Sequence, residues 1–240
     1  MAIVQEALNG AKKDTKRIML QSKEKAVLLE VFKKLSLHYG PQRWWPGETP
    51  FEVAVGAILV QHTSWRSAER AVGALKEQRL LEVSALNEAP AKEICGTIAV
   101  AGLVGQKVGR LKRFARLLSK QFQSDLIRLL KYRKARLLLM SVKGIGEETA
   151  DSILLYAGER LTVPIGSYTR RILMRIGFPK RGYEKWRSLV LNAVPSDVVT
   201  LKEFHAVFVA HGRALCRIRP LCQKCPVLEV CASGKARQHG

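Results

Sequence analysis

Acidic side chains are scarce in this chain: 20 Asp and Glu stand against 41 Lys and Arg over 240 residues, a formal charge of +21. Solubility does not require so large an excess, and the imbalance points to a polyanion, with nucleic acid foremost, as the partner. Long apolar runs are also missing, so no segment is expected to span a bilayer. Residues Met1 to Ser22 mix Gln, Glu, Lys and Asp where a signal peptide would carry an apolar core. The expectation is a soluble, cytoplasmic, nucleoid-associated monomer with no membrane partner. Strand-like alternation is scarce and no repeat is evident, which leaves an all-α class. Cysteine is nearly absent outside one segment: four of the five lie between Cys216 and Cys231. A secreted disulfide scaffold spreads its cross-links, so a metal centre is the better reading.

What is present is helical periodicity. Lys23 to Tyr39 carries Val27, Leu28, Val31, Phe32 and Leu35 on one stripe. Phe51 to Gln61 is apolar nearly all round, as a buried helix would be, while Arg66 to Lys76, Ala91 to Ala99 and Leu103 to Phe122 are amphipathic. Residues 1–22 form an expected basic N-terminal tail, and Gly234 to Gly240 a second frayed end. Gly40 to Thr49, with Pro41, Pro46, Gly47 and adjacent Trp44 and Trp45, reads as a structured loop. The two tryptophans either line a base pocket or pack on the core. Cys95 lies in an apolar helical stretch and reads as a buried thiol.

Val142 to Ala157 reads V-K-G-I-G-E-E-T-A-D-S-I-L-L-Y-A. Two glycines around one apolar residue permit a tight reversal between helices, with Ile145 plugging inward and Gly144 and Gly146 leaving backbone amides uncovered. Such amides bind a phosphate without reading sequence, and Lys143 adds a second phosphate contact. In a chain this basic, the pattern is a helix-hairpin-helix. Further on, Cys216, Cys222, Cys225 and Cys231 are separated by five, two and five residues, with Pro220 and Pro226 bending the chain around them. Four thiolates so placed suit a tetrahedral zinc or a cubane [4Fe-4S] cluster, and spacing alone does not choose. All four positions are filled, which implies a structural site, and Arg213, Arg217, Arg219 and Lys224 make the loop positive.

The hairpin, together with W-W-P-G-E-T-P-F-E-V-A-V-G-A-I-L-V-Q-H-T-S-W from Trp44 to Trp65 and the cysteines, resembles the endonuclease III (HhH-GPD) superfamily of DNA glycosylases, in the branch that includes 3-methyladenine glycosylases. The resemblance covers nearly all of the chain beyond the N-terminal tail. It implies two helical lobes around a DNA cleft: a six-helix barrel over 41–160, and a discontinuous lobe of 23–40 with 161–240 that carries a cluster loop at 216–231. It implies a [4Fe-4S] cluster on the four cysteines, although the usual first gap in the family is six residues, and double-stranded DNA with a damaged or mismatched base as partner. Gln61 matches the glutamine that enters the DNA stack, or else it caps backbone groups. Lys143, Gly144, Gly146, Thr149, Tyr168 and Arg170 complete the implied DNA-binding set.

Two side chains of the family pattern are missing. Base excision needs an extruded base and a carboxylate near the sugar C1′ that stabilises the developing oxocarbenium charge. The family supplies an aspartate in a stretch resembling V-D-x-Y-T-R-R-I, and Gly166 of I-G-S-Y-T-R-R-I stands in its place. Bifunctional members carry a Schiff-base lysine where this chain has Glu148, so lyase chemistry by that route is expected to be absent. Glu148 and Asp151, three residues apart and expected to share a face turned toward the cleft, are the candidate replacement acids. His205 and His211 lie on the helix before the cysteines, as pocket or packing residues. The expected function is a monofunctional N-glycosylase; the alternative is a non-catalytic iron-sulfur protein that binds lesions.

Overall fold

A computed structural model describes the backbone of residues 2–237 and the side chains of 19, 20 and 22–237. Its α-helices are α1 (Ala2–Tyr39), α2 (Pro50–Leu59), α3 (Trp65–Glu77), α4 (Val83–Glu88), α5 (Ala91–Thr97), α6 (Val104–Phe122), α7 (Leu126–Lys131), α8 (Ala135–Ser141), α9 (Glu147–Ser152), α10 (Ser167–Ile176), α11 (Tyr183–Ala193), α12 (Val198–Ala214) and α13 (Ala232–Ala236). No strand is present among the described residues, and no helix there is long and apolar enough to cross a membrane. The all-α reading holds.

The chain divides into two compact units, Met1–Gln42 with Ile165–Gly240, and Arg43–Pro164. In the first, α12 packs on α1 and α10. Leu28, Val31 and Leu35 are fully buried on α1, and Phe32 meets Phe204 of α12 at 5.4 Å between ring centroids. Burying such a stripe, at about 25 cal/mol per Å2, is what holds a long helix to a domain. The helix starts at Ala2, where a frayed tail was expected to run to residue 22. Ala, Gln, Glu, Lys and Met are good helix formers and no proline interrupts residues 2–22, so the local sequence is compatible with helical backbone there. At the other end α13 takes in Gly234, part of the expected C-terminal tail; residues 238–240 lie outside the described ones.

In the second unit, α2 is the central helix: all of Val53 to Leu59 is buried, and α3, α6 and α9 pack around it. Thr49 caps its first turn and Pro50 opens it, a pairing that suits a helix N-terminus because proline lacks the N–H that would go unpaired there. Phe51 stacks on Phe114 of α6 at 6.1 Å. Asp125 caps α7 and Ser64 caps α3. Helices α8 and α9 form a hairpin, and α9 runs directly into a π-helical turn, Ile153–Ala157.

Candidate nucleic-acid interface and metal centre

The hairpin turn is built on Ile145, which is buried and whose amide donates to the Val142 carbonyl at 2.9 Å. Gly144 has φ +99°, a conformation that side-chain-bearing residues rarely adopt, and a Cβ there would sit 2.6 Å from Arg110 Nε. Gly146 differs. Its φ of −92° is ordinary and a Cβ would meet nothing within 4 Å, so glycine here leaves open space at the start of α9.

Gln61, just past the end of α2, joins this turn to the helices around it. Its amide donates to the Gly144 carbonyl at 3.1 Å and to Thr149 Oγ1 at 2.6 Å, and its carbonyl accepts from Arg110. Arg113, one turn along α6, donates to the Lys143 carbonyl at 3.1 Å. The structure thus brings Gln61, Lys143, Gly144 and Thr149 together, and adds Arg110 and Arg113, which sequence reasoning missed. Thr149 is buried, and Lys143 and Gly146 are exposed. Basic side chains over glycine-lined amides form a surface that attracts a phosphate.

The two candidate acids part company. Glu148 is exposed in the first turn of α9. Asp151 is 0% exposed and makes a bidentate ion pair with Arg136 of α8, both contacts at 3.0 Å, while accepting from Thr162 Oγ1 at 2.7 Å. The expectation that both carboxylates face one cleft is corrected. Three residues advance about 300° around a helix, and the remaining offset of about 60° suffices to turn one carboxylate outward and the other into the core. Asp151 ties the two hairpin helices to the segment around Thr162 that follows the π turn. Removing the carboxylate takes the buried half of the pair from the half-buried Arg136 guanidinium and from Thr162, so Asp151→Asn should lose roughly 2 kcal/mol of stability, read as a lowered unfolding midpoint in urea.

Trp44, Trp45 and Trp65 gather with Tyr156 of the π turn: Trp45 lies 4.8 Å from Trp65 and 5.1 Å from Tyr156, and Trp44 lies 6.2 Å from Trp65. The three tryptophans are half-buried. Trp45 Nε1 would lie 3.2 Å from a Cβ at Gly56, so a small residue on α2 admits its ring.

In the other unit, Gly166 is the residue before α10, buried, with φ −76° and ψ 176°. Any residue adopts that backbone, so glycine is not demanded by conformation. The first turn of α10 receives no side-chain cap from it. Tyr168 lies against Gly212 of α12, where a Cβ would fall 2.5 Å from the ring. Arg170 is half-exposed. Arg171 covers the Tyr168 ring at 5.1 Å and donates to the carbonyls of Gly212 and Cys216, both at 2.9 Å. Arg175 reaches Cys216 Sγ at 3.3 Å and the Ile218 carbonyl at 3.0 Å. Helix α10 therefore anchors the start of the cysteine loop.

Cys216, Cys222, Cys225 and Cys231 all line one pocket, shared with Arg175 and His211. Among the described residues, no group of three or more His, Cys, Asp or Glu side chains is arranged to hold a metal ion as the side chains stand. The four thiols and the neighbouring guanidinium suit a metal centre that carries net negative charge with its thiolates. Burial pushes the Cys225 thiol up to about 11 and raises that of Cys231, so both are protonated in the metal-free chain and shed protons on ligation. Cys95, on α5, is half-buried.

His205 and His211 are both buried on α12 and both held down to about 4 by that burial, with His38 adding to the effect at His211. Below its ordinary 6.5 an unfolded histidine takes up a proton that the folded one refuses, so stability is complete above pH 6.5 and falls as the pH drops toward 4. For His205 the full effect is about 3 kcal/mol. Thermal unfolding between pH 7 and 4 should show a steep loss that is smaller in His205→Leu.

Alongside this geometry stand the relatives. The chain is 37% identical over 213 residues to a protein of Methanocaldococcus jannaschii named as a DNA repair glycosylase, covering 86% of this chain and 96% of that one. It is 30% identical over 187 residues to endonuclease III of Sulfolobus acidocaldarius, covering 75% and 81%. A solved non-covalent endonuclease III–DNA complex matches with a TM-score of 0.78 at 18% identity, over 90% of this chain and 99% of that one, a likeness of fold. No protein-family profile matches. The class these define is that of DNA-repair glycosylases. The chain belongs to the endonuclease III superfamily.

Proposed function

We propose that this chain is a monofunctional DNA N-glycosylase that extrudes a damaged base, alkylated or deaminated, from double-stranded DNA and hydrolyses its glycosidic bond. The observation that carries the reading is the divergence of the two acids, which leaves Glu148 exposed at the head of α9 while Asp151 is consumed by Arg136. The amides and arginines around Gly144 hold the phosphate backbone. Gln61, held by hydrogen bonds to Arg110 and Thr149, fills the gap left by an extruded base on this reading. The tryptophan cluster offers aromatic faces to an electron-poor, alkylated ring. Tyr168 and Arg170 contribute from α10.

The bond from C1′ to the base breaks with its electron pair leaving on the base, water oxygen adds to C1′, and the water proton goes to the Glu148 carboxylate. An alkylated base already carries positive charge and leaves readily, which lowers the demand on the acid. A carboxylate cannot form a Schiff base, so no lyase step follows. The four cysteines, with the positive loop around them, would hold a [4Fe-4S] cluster whose contribution is to fix that loop for phosphate contact. The protein acts as a monomer.

A second reading rests on Gly166, which puts no carboxylate at the head of α10: a lesion-binding protein without catalysis. Incubation with duplexes carrying alkylated purines or uracil separates the two. Free base without strand cleavage, and nothing trapped by borohydride, is the expected result. Strand cleavage with a trapped adduct would defeat the monofunctional assignment. Purified protein should contain about four iron and four sulfide per chain; zinc without iron would refute the cluster.

A further inference from the structure

The last turn of α12 holds a residue that the chemistry above does not use. His211 is 1% exposed and stands between two partners: its Nδ1 lies 3.1 Å from the Tyr39 hydroxyl, at the end of α1, and its Nε2 lies 3.7 Å from Cys225 Sγ. The rings of Tyr39 and His211 meet at 5.9 Å, edge to face. This packing leaves no room to exchange partners with solvent.

We propose that His211 is a positioning residue for the metal centre, held in one tautomer by Tyr39 so that it donates a hydrogen bond to the Cys225 thiolate and raises the reduction potential of the cluster ligated there. The proposal rests on the cluster reading. A neutral imidazole carries one N–H, and which nitrogen bears it follows from what each nitrogen faces. A ligating thiolate has only lone pairs to offer, so a bare Nε2 would repel it. With the proton on Nε2, Nδ1 becomes an acceptor and the Tyr39 hydroxyl, which can donate, meets it correctly. The tautomer is thus fixed from both ends.

The sequence could not show this. Residues 39, 211 and 225 are brought together only by the packing of α1 on α12 and the return of the cysteine loop. Hydrogen bonds to cluster sulfurs stabilise the more reduced, more negative state and move the potential upward, and outer partners of this kind orient the ligand as well. Arg175 makes the corresponding contact to Cys216, as a charged donor. Two of the four ligands therefore receive donors from helices that belong to the unit's core.

The test uses the full-length, cluster-loaded chain in film voltammetry, with iron and sulfide measured on each sample. His211→Phe removes the donor and should shift the midpoint potential negative of the native one. His211→Gln, which keeps an N–H near the Nε2 position, should recover most of the shift. Tyr39→Phe, which frees the tautomer, should shift it in the same direction by less. Where His211→Phe does not load, the other two variants decide. A loaded His211→Phe with the native potential, or a His211→Gln shifted as far as His211→Phe, overturns the proposal alone. A native chain without iron overturns the cluster reading and this proposal with it.

Discussion

Glu148→Gln is expected to slow single-turnover release of a damaged base by on the order of a hundredfold to a thousandfold, the usual cost of removing a group that stabilises charge only in the transition state. Glutamine keeps the size and the hydrogen-bonding reach but cannot carry negative charge or take the water proton. Binding of the same duplex should change little, because Glu148 is exposed and the proposed function assigns the phosphate contacts to the glycine amides, Lys143, Arg110 and Arg113. The assay therefore reads the rate at saturating protein alongside the dissociation constant. A fall in both together would point to a binding role for Glu148.

Gly166→Asp should act in the opposite direction, raising release on the order of a hundredfold. The backbone at 166, φ −76° and ψ 176°, accepts an aspartate without strain, and the residue precedes a ten-residue helix that receives no side-chain cap from it. A carboxylate there accepts from the first-turn amides and sits in the favourable field of the helix N-terminus, so it is ionised at neutral pH. The same substitution should raise thermal stability slightly, by a few tenths of a kcal/mol over glycine. A gain in stability with no gain in rate would mean that the sugar is not presented to this position.

Much of this was legible in the sequence because it depends on short-range patterns. The two glycines around Ile145 gave the hairpin, since a φ near +99° at 144 excludes most residues and the apolar plug excludes a solvent loop. The apolar run from Phe51 gave the central helix, and the cysteine spacing gave a pocket lined by all four thiols. What stayed hidden was decided at long range. Asp151 and Glu148 look equivalent in a string of helical residues, and only Arg136, fifteen positions earlier, with Thr162, eleven later, reveals that one is structural. Arg110 gave no local sign that it would press on Gly144 and fix Gln61. The extension of α1 back to Ala2 was missed because a polar stretch without an apolar stripe carries no amphipathic signal, although its residues individually favour a helix. The short α4 and α7 were likewise passed over, since six residues are too few for a period to emerge.

The central claim is that a chain without the family's aspartate still breaks the glycosidic bond. The most direct test is single-turnover base release by the native chain, the Glu148→Gln variant and the Gly166→Asp variant, on duplexes carrying 3-methyladenine or uracil. The account predicts release by the native chain, its collapse in Glu148→Gln and its acceleration in Gly166→Asp. A native chain that binds these duplexes and releases nothing, while Gly166→Asp does release base, would contradict it and identify a lesion-binding protein built on an enzyme's fold.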